Sequence, residues 1–285
     1  MNLIESLKNE VDDYQILAEL TGAFEGIASL RVSQIKDSVL NLANYFNRLW
    51  AIYRLLKIDE DFKYNKSIAQ KNILNKELFI IITSESGFGG DIDLKLIEMM
   101  LSDYNSTKND ILVIGYHGAI QLAQRGVDYI KYFKLPKSDQ NINTEPLITE
   151  IIKYQSTTIY YQEYISLLNQ EVNKIDLNKA IKLNIDQNST EIINQKNYIF
   201  EPNARDVARH VEASFVRIAL NQKILSSKLA QYASRFKAMS ISNQIANQLK
   251  DDTKLLYNRT KRNLGDRRLQ EIVSAYKISL SRSSS

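Results

Sequence analysis

Residues 225–256 read LSSKLAQYASRFKAMSISNQIANQLKDDTKLL. Within them Leu225, Leu229, Tyr232, Phe236, Met239, Ala246, Leu249 and Leu256 follow three- and four-residue steps, with polar Asn243 in the seam. Apolar residues so spaced form one stripe of a helix, and a heptad-like stripe this long calls for a second helix beside it. The chain after Pro202 has a single glycine, Gly265, and no further proline, so nothing breaks that helix. The first 57 residues offer the partner: Leu7, Val11, Tyr14, Leu17, Leu20, Ile27, Leu30, Ile35, Tyr45, Phe46, Leu49 and Tyr53 also keep a helical period. At 1.5 Å rise per residue such helices reach on the order of 80 to 110 Å, far more than a compact domain needs.

The middle of the chain has a different pattern. Leu78–Thr83 (LFIIIT) and Ile111–Tyr116 (ILVIGY) are short β-branched runs, each followed by glycine and a helix-like stretch. That is the pattern of βαβ units and a buried, largely parallel sheet. Val127–Phe133 and Thr158–Leu167 are further strand candidates. Thr144–Gln155 reads as a helix, with Thr144 as N-cap and Pro146 in its first turn, and Leu183–Asn197, polar and Asn-rich, reads as a loop. The expected organisation is an N-terminal helix over 1–57, an α/β domain over 75–197 and a C-terminal helix over 203–281, the middle being an insertion at one end of a two-helix rod.

The 285 residues contain no Cys, three Pro and nine Gly, with 44% hydrophobic and 25% charged. This is globular composition, and it excludes a disulfide scaffold, a thiol nucleophile and Cys-ligated metals. No apolar run approaches the roughly 20 residues of a membrane span, and the acidic start is unlike a signal peptide, so a soluble, intracellular protein is expected. The net charge of +4 hides a division. Residues 1–57 carry 6 Lys/Arg against 7 Asp/Glu, residues 58–202 carry 15 against 20, and residues 203–285 carry 16 against 6. The basic last third should seek an acidic surface.

Candidate chemistry is sparse. The loop Ser84–Asp93 (SESGFGGDID) follows a strand and has three glycines, yet it lacks the Lys-Ser/Thr of a P-loop and the GxGxxG spacing, and Glu85, Asp91 and Asp93 would repel an anion. Asp91 and Asp93 lack the other positions of an EF-hand and read as a solvated turn. His117 follows a strand with no Ser or Asp beside it at a recognisable spacing, which favours a structural role. His210 has no HExxH-type partner on its helix. The cluster Arg259, Lys261, Arg262, Arg267 and Arg268, opposed by Asp266, could neutralise nucleic-acid phosphates. It is short, however, and interrupted by Leu264 and Leu269, and an acidic protein surface explains it equally well.

Several strings together resemble the gamma subunit of F-type ATP synthases, the central rotor shaft. YIFEPN at Tyr198–Asn203 resembles the family's Tyr-x-Phe/Tyr-Glu-Pro-Ser, and Arg235–Met239 resembles its Arg-Met-x-Ala-Met. Leu255–Asn258 with Leu269, Glu271, Ile272 and Val273 resembles its Leu-x-Tyr-Asn…Glu-Leu-x-Glu-Ile-Val ending. Thr21, Ala23, Phe24, Ile27, Ala28 and Arg31 resemble Thr-x-Ala-Met-x-x-Val-Ala-x-x-Lys, and SESGFGG resembles Ser-Asp-Arg-Gly-Leu-x-Gly-Gly.

The resemblance implies an antiparallel coiled coil of the terminal helices with a small Rossmann-like α/β domain inserted between them. It implies a non-catalytic shaft in a hexamer of alpha-like and beta-like subunits, coupling their ATP hydrolysis or synthesis to rotation. ATP and Mg would sit in those partners, with no cofactor, catalytic residue or metal on this chain. Lys261 and Arg262 match the family's Arg-Gln, which meets an acidic beta-subunit loop, and Arg259, Arg267 and Arg268 extend that contact. The coiled-coil seam is assigned to Leu225, Leu229, Tyr232, Phe236, Met239 and Leu249. An epsilon-like subunit, and in ordinary ATP synthases a membrane ring, would be further partners, with no nucleic acid; the location would be cytoplasmic, peripheral to the cell membrane through the complex.

Departures from the family pattern are Glu10, Asp12, Asp13 and Glu19 in a normally basic helix, Gly265, Asp266 and Arg268 near the tip, and the tail SLSRSSS. Together with an Asn-, Ile- and Lys-heavy composition they favour a divergent mollicute-like F-type ATPase, of a kind that includes a gliding motor, over an ordinary proton-translocating one. A coiled-coil adaptor without motor function is the remaining alternative.

Overall fold

The computed structural model describes residues 3–56, 74–137, 139, 142–177 and 204–283. The expected loop at 183–197 and the motif at 198–203 lie outside them. Helix α1 (Leu3–Leu56) is followed by β1 (Leu74–Ile82), α2 (Ile92–Asp103), β2 (Asn109–Ile114), α3 (Tyr116–Gln124) and β3 (Lys131–Phe133). Next come α4 (Glu145–Ile151), β4 (Tyr154–Tyr164), β5 (Gln170–Asp176) and the 80-residue α5 (Ala204–Ser283).

The five strands form one sheet in the order β3-β2-β1-β4-β5. Neighbours among the first four are parallel, and β5 runs antiparallel on β4. Central β1 is apolar on both faces, as a strand covered by helices must be. Its even positions Leu78, Ile80 and Ile82 join Ile159 and Tyr161 of β4, Leu147 of α4 and Leu220, Ile224 and Leu225 of α5 in one core. Its odd positions Phe79 and Ile81 join Ile111 and Val113 of β2, Leu96, Ile97 and Met100 of α2 and Leu122 of α3 in the other. The period-two alternation of side chains thus builds two apolar layers from one run. A third cluster packs Val32 and Ile35 of α1 on Leu229 and Ala233 of α5. Since Val39 and Leu42 of α1 meet the core that holds Leu220 and Leu225, the two helices run antiparallel here.

Several expectations need correcting. The strand expected at Val127–Phe133 is confined to Lys131–Phe133, because Gly126 at φ 66° turns the chain after α3. The helix expected over Thr144–Gln155 ends at Ile151, and Tyr154 already opens β4, which begins before the expected Thr158. Thr144 occupies the N-cap but its hydroxyl makes no cap bond. Edge strand β5, burying side chains only in part, carries no strong apolar run and was not foreseen.

The chain forms two compact units. One consists of the chain up to Ile27 and from Ala238 onward; the other is Ala28–Lys237. The sheet therefore shares its unit with segments of both long helices.

Candidate functional site

In the sheet-bearing unit the ends of β1 and β2 are held close. Gly115, at φ 102°, brings its backbone against Thr83, where an added Cβ would lie 2.1 Å from the Thr83 carbonyl oxygen. Only glycine fits there. This close approach places the start of α3 beside the start of α2, and a buried polar cluster forms between them.

Asp93, in the first turn of α2 and 3% exposed, is the centre of that cluster. Its carboxylate accepts from Ser84 N at 3.2 Å, Ser84 Oγ at 2.5 Å and Gln162 Nε2 at 2.7 Å. His117 Nδ1 lies 2.8 Å from its Oδ2. Gln162 in turn accepts from Ser227 Oγ and from Gln231 Nε2 of α5, the latter at 3.3 Å. The hydrogen bond to Asp93 raises the His117 pKa above its ordinary value, against an opposing effect of burial. The Ser84 hydroxyl turns to Asp93 rather than to the imidazole, so the three residues lack the nucleophile–base contact of a hydrolytic triad. They act as a clamp between the sheet and α5. Asp93 is accordingly not part of a solvated turn, and it pairs with His117 across 24 positions of sequence, a spacing that no local motif marks.

The rest of the glycine-bearing loop faces α5 as well. Ser234 donates to the Gly89 carbonyl at 2.6 Å, and Arg235 Nη2 donates to Ser86 O at 3.1 Å and Ser86 Oγ at 2.9 Å. Phe88 adopts φ 67°, rare for a bulky residue, and is 65% exposed. Asp91 pairs with Lys95 on the surface, which lowers its pKa.

In the other unit both helices leave part of their apolar surface exposed. On α1 the less exposed positions up to Glu25 include the series Ile4, Leu7, Val11, Tyr14, Ala18, Thr21 and Glu25, in alternating steps of three and four, with Ser6 and Gly22 beside it. On α5 they include Asn243, Ala246, Lys250, Thr253, Tyr257, Thr260 and Leu264. Inward positions are thus often small or polar, and Asn243 Nδ2 donates to the Ala18 carbonyl at 2.6 Å. Leu17, Leu20 and Ile27, expected on the packing face, are 46%, 53% and 56% exposed, and Ile16 and Phe24 join them. Of the expected seam, Leu225, Leu229 and Met239 are buried and Tyr232 and Phe236 half-buried. Leu249, at 39% exposure, and Leu256 instead face outward with Ile241 and Ile245. Leu17, Leu20, Leu249 and Leu256 each lie one position away from a less exposed residue, Ala18, Thr21, Lys250 and Tyr257 respectively.

Arg259, Lys261, Arg262, Arg267 and Arg268 are all exposed on α5, with Lys261 Nζ 5.9 Å from the ring centre of Tyr257. From Arg259 to Ala275 no side chain is buried. His210 falls on α5 with its side chain outside the described residues. Among the described residues no group of three or more His, Asp or Glu could hold a metal ion, and no helix is long and apolar enough to cross a membrane.

A family model described as ATP synthase matches residues 4–277. The ATP synthase gamma chain of Ureaplasma urealyticum is 24% identical over 287 residues, covering 95% of this chain and 98% of the relative. The chain belongs to the ATP synthase gamma-chain family. Membership assigns it the central rotor shaft role of F-type and F-like ATPases. The gamma chains of Staphylococcus epidermidis and Malacoplasma penetrans are 22% and 23% identical, with 96% and 97% of this chain covered and 98% and 99% of theirs. A chain of the Euglena gracilis mitochondrial ATP synthase, in a structure of OSCP, F1 and c-ring, has the same fold. Its TM-score is 0.66 at 15% identity, over 96% of this chain and 94% of that one. A chain from the central stalk and c-ring structure of Tetrahymena thermophila ATP synthase gives 0.55 at 17% identity, over 78% and 98%. The gamma fold thus accounts for both the helical pair and the inserted sheet.

Proposed function

We propose that this shaft turns within a ring of alpha-like and beta-like ATPase subunits, its outward apolar face bearing on their bore and its basic cluster on an acidic loop. The observation that carries this reading is the apolar surface that the helical pair leaves exposed. A coiled coil built only for its own stability places its leucines inward, whereas here Leu17, Leu20, Leu249 and Leu256 face outward. A surrounding protein sleeve would bury them, at roughly 25 cal/mol per Å² of apolar surface.

Because the shaft is asymmetric, each orientation offers different contacts to the surrounding sites. That difference in contact energy couples nucleotide state to angle. ATP and Mg are held by the partner chains in this reading, which gives the shaft no catalytic group. Arg259, Lys261, Arg262, Arg267 and Arg268 supply a salt-sensitive attraction to the acidic loop. The sheet-bearing unit meets an epsilon-like subunit, and the complex is cytoplasmic and peripheral to the cell membrane.

Affinity purification through a tag on the sheet-bearing unit tests this. Three alpha-like and three beta-like chains per copy, with ATPase activity, are expected; their absence at low salt would overturn the reading in favour of an adaptor. Co-purifying ring subunits would identify an ordinary ATP synthase, and their absence a divergent motor such as one that drives motility.

A further inference from the structure

We propose that the sheet-bearing unit binds a compact phosphate anion in a cleft that the shaft reading does not use. A cavity of about 260 Å³ is lined by Arg31 of α1, Glu85 of the β1–α2 loop, Lys134 and Lys137 of the loop after β3, and Lys228 and Arg235 of α5. Five of these six side chains are cationic.

The opposing carboxylates are already engaged. Glu85 accepts from the Leu135 N–H and from Tyr132 Oη at 3.3 Å. Asp139 pairs with Lys228 and lies 4.0 Å from Arg31. Five positive charges against these two negative ones leave a balance of +3 around the cavity. That balance suits a multiply charged oxyanion better than a single carboxylate.

The cleft is also preorganised. Lys228, whose side chain is 4% exposed, donates to the Pro136 carbonyl at 2.9 Å as well as to Asp139. It therefore fixes the loop that carries Lys134 and Lys137. Both of these are exposed, and among the described residues neither makes an ion pair. Arg235 uses Nη2 for the loop, which among the described residues leaves the donors on Nη1 and Nε for an anion. Charge-assisted bonds of this kind are roughly twice as strong as neutral ones. The volume lies just below the roughly 300 Å³ at which pockets for drug-sized ligands begin, so the occupant is an inorganic phosphate or pyrophosphate, or the phosphate tail of a nucleotide. This inference does not rest on the shaft role.

Isothermal titration of the full chain with orthophosphate, pyrophosphate and ATP, metal-free and at low salt, tests it. Pyrophosphate is expected to bind one per chain, more tightly than orthophosphate, and more weakly as salt is added. Lys134→Glu with Lys137→Glu should weaken binding about tenfold or more, with the melting temperature as control for folding. Lys134→Ala with Lys137→Ala keeps the test open if charge reversal disturbs the fold. Lys261→Glu with Arg262→Glu, in the basic cluster of the other unit, should leave binding unchanged. ATP binding as tightly as pyrophosphate would support the site with a nucleotide tail as the source, and weaker ATP binding would support it with an inorganic anion. No binding of pyrophosphate, unchanged affinity in the Lys134/Lys137 variants, or an equal loss in the Lys261/Arg262 variant would overturn the proposal.

Discussion

Asn243 reaches across the helical pair to donate through Nδ2 to the main-chain carbonyl of Ala18 at 2.6 Å. Its own Oδ1 accepts from Asn247 Nδ2 at 3.0 Å, which orients the amide. A polar side chain tied to one carbonyl of the facing helix favours a single register, since a slip by one residue breaks the bond. Asn243→Ala should therefore destabilise the chain by about 1 kcal/mol in chemical denaturation. An unchanged midpoint would show that the packing of small residues sets the register alone.

Gly115 tolerates no side chain. Gly115→Ala combines positive φ with a clash against the Thr83 carbonyl, and the cost should exceed about 2 kcal/mol. Thermal unfolding of the isolated chain measures it, and a shift of only a degree or two would contradict the geometry.

The His117–Asp93 contact gives stability a pH dependence of definite sign. The folded-state pKa of His117 is raised above its ordinary value, mainly by the hydrogen bond to Asp93. Protonation therefore favours the folded chain. The contribution is fully present below the unfolded pKa of about 6.5 and is lost as pH rises through the higher folded value. Denaturation midpoints followed upward from about pH 6 should fall in the native chain, and His117→Gln should remove that slope.

Gly265 lies exposed within α5, and an added Cβ would meet nothing within 4 Å. Gly265→Ala should stabilise this part of the helix by about 1 kcal/mol. Slower hydrogen exchange of the neighbouring amides is the expected readout.

Leu249 separates the isolated chain from the assembled one. Leu249→Ser removes an exposed side chain, so the free chain should change within about ±0.5 kcal/mol. Recovery of alpha-like and beta-like partners should fall if a sleeve covers this face; equal recovery would remove Leu249 from the contact.

The sequence made the helices and the central strands legible because each has a dominant period. Leu78–Ile82 is apolar at every step and Leu225–Met239 at three- and four-residue steps, and both sit where those periods place them. The seam misled at Leu17, Leu20 and Leu249 for a physical reason. Apolar residues mark surfaces that will be covered, and in a chain that works inside other subunits the covering surface belongs to another molecule. Asp93 reads as a solvated turn in the sequence because spacing along the chain says nothing of its contact with His117, made where two parallel strands end side by side. Ser227 and Gln231 left no signal, since polar residues on a long helix ordinarily face water.

The alternating three- and four-residue steps from Ile4 to Glu25 have one more consequence. They average 3.5 residues per turn, so the contact line lags a straight helix by about 20° per heptad, or roughly 60° over this stretch. A repeat of 3.5 favours taking up that lag as a left-handed winding of the pair. A pair so wound has a handed response to torque: twisting in one sense tightens its contacts, and twisting in the other slackens them.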